Sequence, residues 1–349
     1  MLLIIILSQK LKNMKKITQG LKHIALGLIL SAGILSANAQ ELLGTTNQGG
    51  AYNQGVIYTY DISTDVQTVV HDFDGTNGSN PIGEYTLNPS NGLVYGATWT
   101  GGSNGYGVIW ELDLAGGTYT VVHHFDASAQ RVHSGVMTHS NGKVYGCTYN
   151  GGTYNNGTLW EYDPSTSTYT NLRDMQGNNF SKLIEDANGL IWGVGQTGGT
   201  NGQGYIWNYD LSSSTFVTEY SFSSASGGYN PHSGLALDAS TGIMYGKTYI
   251  GGTNGQGSLY SFDPSSSTYT EIHAFDGTNG ANPYAGSVKL TSTGKLISTT
   301  NGGGSNGRGV LFEYDLSSST YSVLTHFNGT NGQSGFNGAM EANNGLYYG

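Results

Sequence analysis

Histidine is the residue of this sequence that most readily suggests chemistry, because an imidazole can transfer protons or bind a metal near neutral pH. His71, His123 and His273 each stand two residues before a phenylalanine, and His124 and His326 stand one residue before it. The segments that carry them resemble one another, so the histidines look like equivalent positions of a repeat. The ligands of a tight metal site must converge to about 2 Å from one ion. Histidines spread over separate repeats are therefore predicted to be structural.

Carboxylates are the second group that could do chemistry. Most glycoside hydrolases use two of them, one as an acid and the other as a nucleophile or base. In a repeat protein the pair can come from distant repeats, so spacing along the chain does not test this hypothesis. The acidic residues on or near the strands that we expect to line the centre of the fold are Glu84, Glu185, Asp238 and Glu341.

Other catalytic signatures do not occur in the sequence, which has no nucleophile elbow, phosphate-binding loop or HExxH motif. His133, His139 and His232 lie near the expected central strands and could face a channel, but they have no metal-binding partners at a diagnostic spacing. Cys147 stands in a column that varies between repeats and is interpreted as incidental. We predict no catalytic residue. The alternative is an extracellular polysaccharide hydrolase or lyase with its site in the channel.

Loops rich in asparagine and glycine are the third candidate. Their amide side chains, backed by tyrosine and tryptophan, suit the hydroxyl groups of a sugar. The alternative is that the loops serve turn formation alone, since glycine and asparagine are the residues that best tolerate a left-handed backbone. The candidate ligand-binding residues are Asn77, Asn80, Asn104, Asn156, Asn254, Asn279, Asn282 and Asn306.

A calcium ion is a weaker alternative for the same loops. Asp74 or Asp276 could bind it together with nearby asparagine side chains and carbonyl groups. One acid per loop, without the alternating acids of an EF-hand, makes a poor calcium site. We therefore expect no cofactor and no metal, with calcium as a minor alternative.

All these candidates recur because the chain repeats a unit of about fifty residues. Glycine pairs begin at residues 49, 101, 151, 198, 251 and 303, with spacings of 52, 50, 47, 53 and 52. Upstream of them run copies such as "VYGAT", "VYGCT" and "MYGKT". Downstream run "VIYTYD", "VIWELD", "TLWEYD", "YIWNYD", "SLYSFD" and "VLFEYD", each with an aromatic residue third and Asp last. Repeats of this length and composition are typical of a β-propeller.

Each unit divides into four short strands, which we name A to D from the centre outwards. In the fifth unit they are "SGLALDA", "GIMYGKTY", "GSLYSFD" and "TYTEIHAF", and strands C and D alternate between two faces. Strands that run up and down place the B–C and D–A loops, which carry the asparagines, on one face. We predict an all-β propeller of four-stranded, kelch-like blades with any ligand on this loop face.

The motifs resemble known repeat families. The stretch "MYGKTYIGGTNGQGSLYSFDPSSSTYTEI" is similar to a kelch repeat, with Tyr269-Thr270 where kelch usually has tryptophan. The combination "FDGTNGxNP…NGxxYGxTxxGGxNGxG" is similar to the tandem GloVer repeat of exported bacterial proteins, over essentially all of residues 41–349. The resemblance implies secretion, a propeller fold and frequently a C-terminal anchoring or sorting segment. It implies no established activity.

An export signal precedes the repeats. The basic lead-in "MKKITQGLK" is followed by the apolar run "IALGLILSAGIL" and by a small-x-small motif that predicts cleavage near Ala39-Gln40. We therefore interpret residues 1–39 as a signal peptide, with Met14 as a possible true start, and residues 40–349 as the propeller. The protein is then secreted or held at the cell surface, and we expect no membrane span in the mature chain.

The charge of the mature region excludes some partners. Residues 40–349 hold 8 basic and 23 acidic residues, a net charge of −15. Such a surface argues against binding nucleic acid or an anionic membrane. The single cysteine cannot form an internal disulfide, so packing must hold the fold together. We predict an exported, non-catalytic binding or surface-display module that presents its loop face to carbohydrate or protein.

The sequence leaves the number of blades open. Strands A, C and D occur six times and strand B seven times, because the repeats start at one B strand and stop inside another, at Gly349. The last A strand could close a six-bladed ring against the first unit. Alternatively the chain is truncated and a seventh blade follows, which the interrupted final motif favours.

Overall fold

Six antiparallel four-stranded sheets follow one another along the chain and form a β-propeller, and we number them blades 1 to 6. All regular structure in the described residues is β-strand, which confirms the predicted fold class. Residues 1–34 of the predicted signal peptide lie outside the described part. The computed structural model describes residues 35–36, 39–225, 227–284, 286–335, 340–341 and 347–348.

The strands are numbered in chain order. Blade 1 contains β1 (Leu35–Ser36), β2 (Ala39–Thr46), β3 (Val56–Asp61) and β4 (Val66–Asp72). Blade 2 contains β5 (Thr86–Leu87), β6 (Val94–Ala97), β7 (Val108–Asp113) and β8 (Thr118–His124). Blade 3 contains β10 (Met137–Thr138), β11 (Val144–Cys147), β13 (Thr158–Asp163) and β14 (Thr168–Asp174), and beside it β9 (Ala129–Gln130) pairs with β12 (Asn150–Gly151).

The second half repeats this order. Blade 4 contains β15 (Ile184–Glu185), β16 (Ile191–Gly195), β17 (Tyr205–Asp210) and β18 (Thr215–Ser221). Blade 5 contains β20 (Ala236–Leu237), β21 (Met244–Thr248), β23 (Ser258–Asp263) and β24 (Thr268–Ala274), and beside it β19 (Gly228–Tyr229) pairs with β22 (Ile250–Gly251). Blade 6 contains β25 (Lys289–Leu290), β26 (Lys295–Thr299), β27 (Val310–Asp315) and β28 (Thr320–His326).

A further hairpin follows blade 6. It pairs β29 (Met340–Glu341) with β30 (Tyr347–Tyr348). The Glu341 carboxylate accepts hydrogen bonds from Ser292 N and Oγ of blade 6, at 2.9 and 3.2 Å. Glu185 of blade 4 accepts the same pair of bonds from Ser140 of blade 3. The hairpin therefore lies beside blade 6 as the inner strand of blade 4 lies beside blade 3. No membrane-length apolar helix occurs in the described part of the chain.

A glycine beneath an aromatic ring fixes how the two middle strands of a blade meet. In blade 2, Gly96 of β6 lies opposite Trp110 of β7, which is 1% exposed. A Cβ on Gly96 would come within 2.0 Å of Trp110 Cζ2, so the indole can lie against the strand only where the side chain is a hydrogen. The equivalent pairs in the other five blades are Gly44–Tyr58, Gly146–Trp160, Gly193–Trp207, Gly246–Tyr260 and Ser298–Phe312.

The histidines of strand D fasten neighbouring blades together. The His123 ring of blade 2 stacks on Tyr169 of blade 3, with the ring centroids 3.8 Å apart. Burial lowers the pKa of His123 to about 4, so this ring is neutral near pH 7. The column thus has the structural role predicted for it. The other stacked pairs of this kind are His71–Tyr119 and His273–Tyr321, both with centroids 3.7 Å apart.

The long loops meet on one face of the propeller, as predicted. The D–A loop after blade 1 passes between two B–C loops, because Asn80 N donates to Gln54 O at 2.8 Å and Trp99 N donates to Asn80 O at 3.0 Å. On the opposite face the aspartate column closes the C–D turns. Ser63 N and Oγ, for example, donate to Asp61 Oδ1 at 2.8 and 2.7 Å.

Candidate functional site

Three of the four candidate asparagines of the B–C loops, Asn104, Asn254 and Asn306, hold their own loops in place. The Asn104 side chain donates from Nδ2 to Phe125 O at 3.0 Å, and so ties the tip of the loop to the end of strand D. Asn156 is half-buried in the B–C loop of blade 3. Asn254 and Asn306 make the same kind of bond as Asn104, to Ala274 O at 3.3 Å and Phe327 O at 3.1 Å.

The candidates of the D–A loops also make bonds within the loop face. Asn80 and Asn282 have left-handed backbones, with φ of 53° and 48°. Their Nδ2 atoms donate to Thr100 Oγ1 at 3.0 Å and Tyr249 O at 3.1 Å. Bonds of this kind agree with the turn-forming alternative. The structure spreads the eight candidates over several blades and does not gather them at one point, and their role in binding remains a prediction.

Asp74 and Asp276, the calcium candidates, accept hydrogen bonds from their own turns. Asp74 Oδ1 accepts from Thr76 N and Asn77 N, both at 2.8 Å. The side-chain oxygen of Asn77, which would have to be a second calcium ligand, accepts a hydrogen bond from Asp74 N at 2.9 Å. Asp276 and Asn279 repeat this arrangement. Within the described ranges no group of three or more His, Cys, Asp or Glu side chains could hold a metal ion.

A small recess opens at the centre of the loop face, where the innermost strands begin. Glu84 of blade 2 and Lys182 of blade 4 line it, and Lys289 of blade 6 lies against Glu84. Blades 3 and 5 place Gly135 and Gly234 at the level of Glu84 and Lys182, each two residues before its A strand. A Cβ on Gly135 would come within 2.7 Å of Glu84 Cβ. Glycine in these blades therefore leaves room for the charged side chains.

One carboxylate lies between two ammonium groups in this recess. Glu84 Oε2 is 2.5 Å from Lys289 Nζ and 3.5 Å from Lys182 Nζ. Burial acts to raise the pKa of Glu84, but the two lysines outweigh it and hold that pKa well below its usual range. The same burial lowers the pKa of Lys182, which the attraction of Glu84 partly offsets. Glu84 is therefore a carboxylate anion near pH 7.

Seven aromatic rings form a connected cluster at the recess, and we name this set the aromatic mouth; His133, Phe180 and His232 line the recess itself. The inner rings touch in sequence around the axis, with centroid distances of 4.4 Å for His133–Phe180, 5.0 Å for Phe180–His232 and 4.5 Å for His232–Tyr284. The outer rings lie against them at 5.2 Å for Trp99–His133, 4.8 Å for Tyr149–Phe180 and 5.1 Å for Tyr249–His232. Except for His232, which is 4% exposed, all are half-buried.

The two histidines of the mouth are neutral near pH 7. Burial lowers the pKa of His133 to about 4. Burial, with a contribution from nearby His133, lowers the pKa of His232 to about 3. His232 Nδ1 is buried and has no hydrogen-bond partner among the described residues. The mouth thus combines uncharged ring faces with one buried imidazole nitrogen that has no hydrogen-bond partner among the described residues.

Of the acidic and histidine candidates for a channel, the structure brings together only Glu84, His133 and His232. His139 lies instead at an A–B turn of the opposite face, with Nε2 3.1 Å from Gly189 O and 3.3 Å from Glu185 Oε1. Asp238 closes another A–B turn by accepting from Ser240 N at 2.9 Å. Glu341 makes its bonds to Ser292 in the same type of turn.

The sequence reasoning missed most of the aromatic mouth. Trp99, Tyr149 and Tyr249 occupy one column, directly after the threonine that ends "YGAT", "YGCT" and "YGKT". Phe180 and Tyr284 belong to a second column shared with the two histidines. A signal was present in the sequence. Several repeats have an aromatic residue at the same loop position, where packing of the blade core does not require one.

The fold is similar to solved propellers of low sequence identity. TolB from Acinetobacter baumannii matches with a TM-score of 0.54 at 13% identity, over 80% of this chain and 62% of TolB, which is less than two thirds of that protein. One chain in the crystal structure of a nidogen/laminin complex matches with a TM-score of 0.55 at 12% identity, over 85% of this chain and 95% of that chain.

An extracellular domain of a hybrid two component system from B. thetaiotaomicron also matches, with a TM-score of 0.56 at 14% identity, over 90% of this chain and 37% of the other. At such identities these matches concern the fold alone. No curated protein matches the sequence significantly.

The repeat itself is matched by a known family. Two tandem matches to the Gloeobacter/Verrucomicrobia repeat cover residues 26–182 and 171–349. They include all six blades, which confirms the resemblance inferred from the glycine and aromatic columns. The chain belongs to the Gloeobacter/Verrucomicrobia repeat family.

Proposed function

We propose that this protein is an exported, non-catalytic binding module, secreted or displayed at the cell surface, that holds a carbohydrate on the aromatic mouth. The observation that carries the proposal is the set of seven half-buried or buried rings at the central recess. Propellers place their ligand sites where loops of several blades converge on the axis. The asparagine loops then form the rim of the site and not its centre.

The chemistry of the mouth suits a sugar better than an extended peptide. The face of an aromatic ring carries partial negative charge, and the C–H groups on one side of a pyranose carry partial positive charge. Tyrosine hydroxyls and imidazole nitrogens around the rings can bond to sugar hydroxyls. The match to an extracellular domain supports a location outside the cell. The match within a nidogen/laminin complex makes a protein ligand the principal competitor.

We place the polysaccharide hydrolase or lyase second. A hydrolase needs a protonated carboxyl group to act as the general acid. In the recess, Glu84 is held as an anion by Lys289 at 2.5 Å and Lys182 at 3.5 Å. Its pKa is shifted away from the range in which it could donate a proton.

The test is binding of the chain from Gln40 onward to an array of bacterial, algal and plant polysaccharides, followed by calorimetry on the best ligand. Trp99→Ala and Tyr149→Ala each remove one ring of the mouth, and we expect affinity to fall at least about 10-fold. Tyr154→Ala is the matched control, because Tyr154 is 63% exposed at a B–C loop tip. That variant should bind as the unmodified chain does.

The result that contradicts the proposal is a well-folded chain that binds no saccharide, or one whose binding survives loss of Trp99 and Tyr149. Binding of a protein that is lost with the same two variants would assign the mouth to a protein partner instead. Repeating the titration with a calcium chelator tests Asp74 and Asp276, and we expect no change in affinity.

A further inference from the structure

We infer that the recess beneath the aromatic mouth takes a carboxylate group, so that the ligand is an acidic saccharide with a uronic acid at the centre. This inference rests on the proposed function and narrows it to one class of sugar. The sugar ring would lie against the aromatic mouth, and its carboxylate would point into the recess toward Lys182.

The distribution of charge is the first observation. Residues 40–349 have a net charge of −15, with 23 acidic and 8 basic side chains. Three of these eight, Arg131, Lys182 and Lys289, lie at the recess or the mouth. Glu84 is the one carboxylate in the described lining. A protein that is acidic elsewhere therefore collects positive charge at its axis.

The geometry of the ion cluster indicates which lysine can bind a further anion. Lys289 Nζ is 2.5 Å from Glu84 Oε2, a close pair in which the two charges offset each other. Lys182 Nζ is 3.5 Å from the same oxygen and 3.4 Å from Tyr85 O, at the long limit of hydrogen bonding. An ammonium group held this loosely can form a closer bond to an incoming carboxylate. Its side chain is 24% exposed, so a ligand can reach it.

Two further groups can bond to the same ligand. His232 lines the recess, is 4% exposed, and carries the Nδ1 atom that has no partner in the described part of the chain. In the tautomer with a proton on Nδ1 it donates a hydrogen bond. Arg131 lies at the edge of the mouth with Cζ 5.4 Å from the centre of the Trp99 ring. A second acidic residue of an oligosaccharide would meet this guanidinium.

The size of the recess agrees with a substituent and not a whole sugar. It is a shallow opening bounded by Ile82, Phe180 and His232, with space for a few atoms between the charged groups. A carboxylate fits such a space, and the attached ring would remain at the level of the aromatic residues. The acidic surface outside the site repels long polyanions such as nucleic acid. A saccharide whose negative charge lies at the recess is therefore the favoured ligand.

The experiment compares each acidic oligosaccharide with the same oligosaccharide after chemical reduction of its carboxyl groups. Oligogalacturonate and oligoglucuronate are titrated into the chain from Gln40 onward by calorimetry at low and moderate salt. We expect the acidic form to bind at least about 10-fold more tightly than the reduced form, with a preference that weakens as salt increases.

Lys182→Met should abolish this preference, so that the acidic and reduced forms bind alike, because methionine removes the ammonium group and keeps most of the apolar stem. The matched control is Lys143→Met, which removes a lysine that pairs with Glu161 and Asp163 away from the recess. That variant should keep the preference. Thermal melts of both variants confirm that they are folded.

Equal binding of acidic and reduced forms, or a preference that survives Lys182→Met, overturns the carboxylate inference and leaves the carbohydrate-binding proposal intact. Absence of binding to every saccharide by a folded chain overturns the proposed function as well. The two failures are therefore distinguishable.

Discussion

Replacing Gly96 by alanine tests the packing that defines each blade. The new Cβ would lie 2.0 Å from Trp110 Cζ2 and 2.4 Å from Cε2. Ordinary carbon contacts are about 3.5–4.0 Å, so the indole must move by roughly 1.5 Å in a site where it is 1% exposed. Overpacking of this kind costs about 1–3 kcal/mol. We expect a value near the upper end, because the ring is enclosed by the core shared between blades 1 and 2.

The assay is thermal unfolding followed by circular dichroism, with Gly302→Ala as the matched control. A Cβ on Gly302 would meet nothing closer than Ala281 O at 3.7 Å, so this variant should melt within about 1 °C of the unmodified chain. Each kcal/mol moves the midpoint of a domain of about 300 residues by roughly 1.5 °C. Gly96→Ala should therefore lower the midpoint by roughly 3–5 °C.

A double variant separates the steric clash from other effects. Blade 6 has Ser298 opposite Phe312 at this position, both fully buried, so a smaller ring accommodates a side chain on strand B. Gly96→Ala combined with Trp110→Phe should lose less stability than the sum of the single changes, with a coupling of about 1 kcal/mol or more. Additive effects, or a Gly96→Ala variant as stable as the Gly302→Ala control, would refute the packing argument.

Two further changes probe the contacts between and within blades. Burial lowers the pKa of His123 to about 4, whereas a histidine in an unfolded chain titrates near 6.5. The unfolded chain therefore binds this proton more readily, and the free energy of unfolding should fall as the pH drops from about 6.5 to about 4. His123→Phe keeps a ring on Tyr169, so the fall in melting temperature from pH 7.5 to pH 4.5 should be smaller than for the unmodified chain; an equal fall would contradict the assignment. Thr148→Val should cost about 1–3 kcal/mol in urea unfolding, since buried Thr148 Oγ1 accepts from Thr158 N at 2.9 Å and donates to Asn150 O at 3.0 Å. Thr118→Val, at the exposed first residue of β8, is its control. Equal losses of stability in the two variants would contradict a stabilising role for the buried Thr148 hydroxyl.

The sequence by itself determined the blades. The repeated positions of Gly96 and Trp110 belong to strands that are adjacent in the chain. Apolar and polar residues alternate along these strands, and this alternation indicates which face packs against the core. The repeat also predicted that the B–C and D–A loops share a face. The short strands β9, β12, β19 and β22 were not predicted, because they lie in glycine-rich loops with no alternation and form only when loops of neighbouring blades meet.

The tertiary structure decided the site. Glu84 is 98 residues from Lys182 and 205 residues from Lys289 along the chain, and nothing in the spacing of three such residues says that they meet. Glu84 and Lys182 stand two residues before the inner strands of blades 2 and 4, and Lys289 is the first residue of the inner strand of blade 6. In blades 3 and 5, Gly135 and Gly234 stand at the level of Glu84 and Lys182 and leave space for their side chains. Local alternation therefore specifies a blade, whereas a charged recess on the axis exists only when the blades are arranged around it.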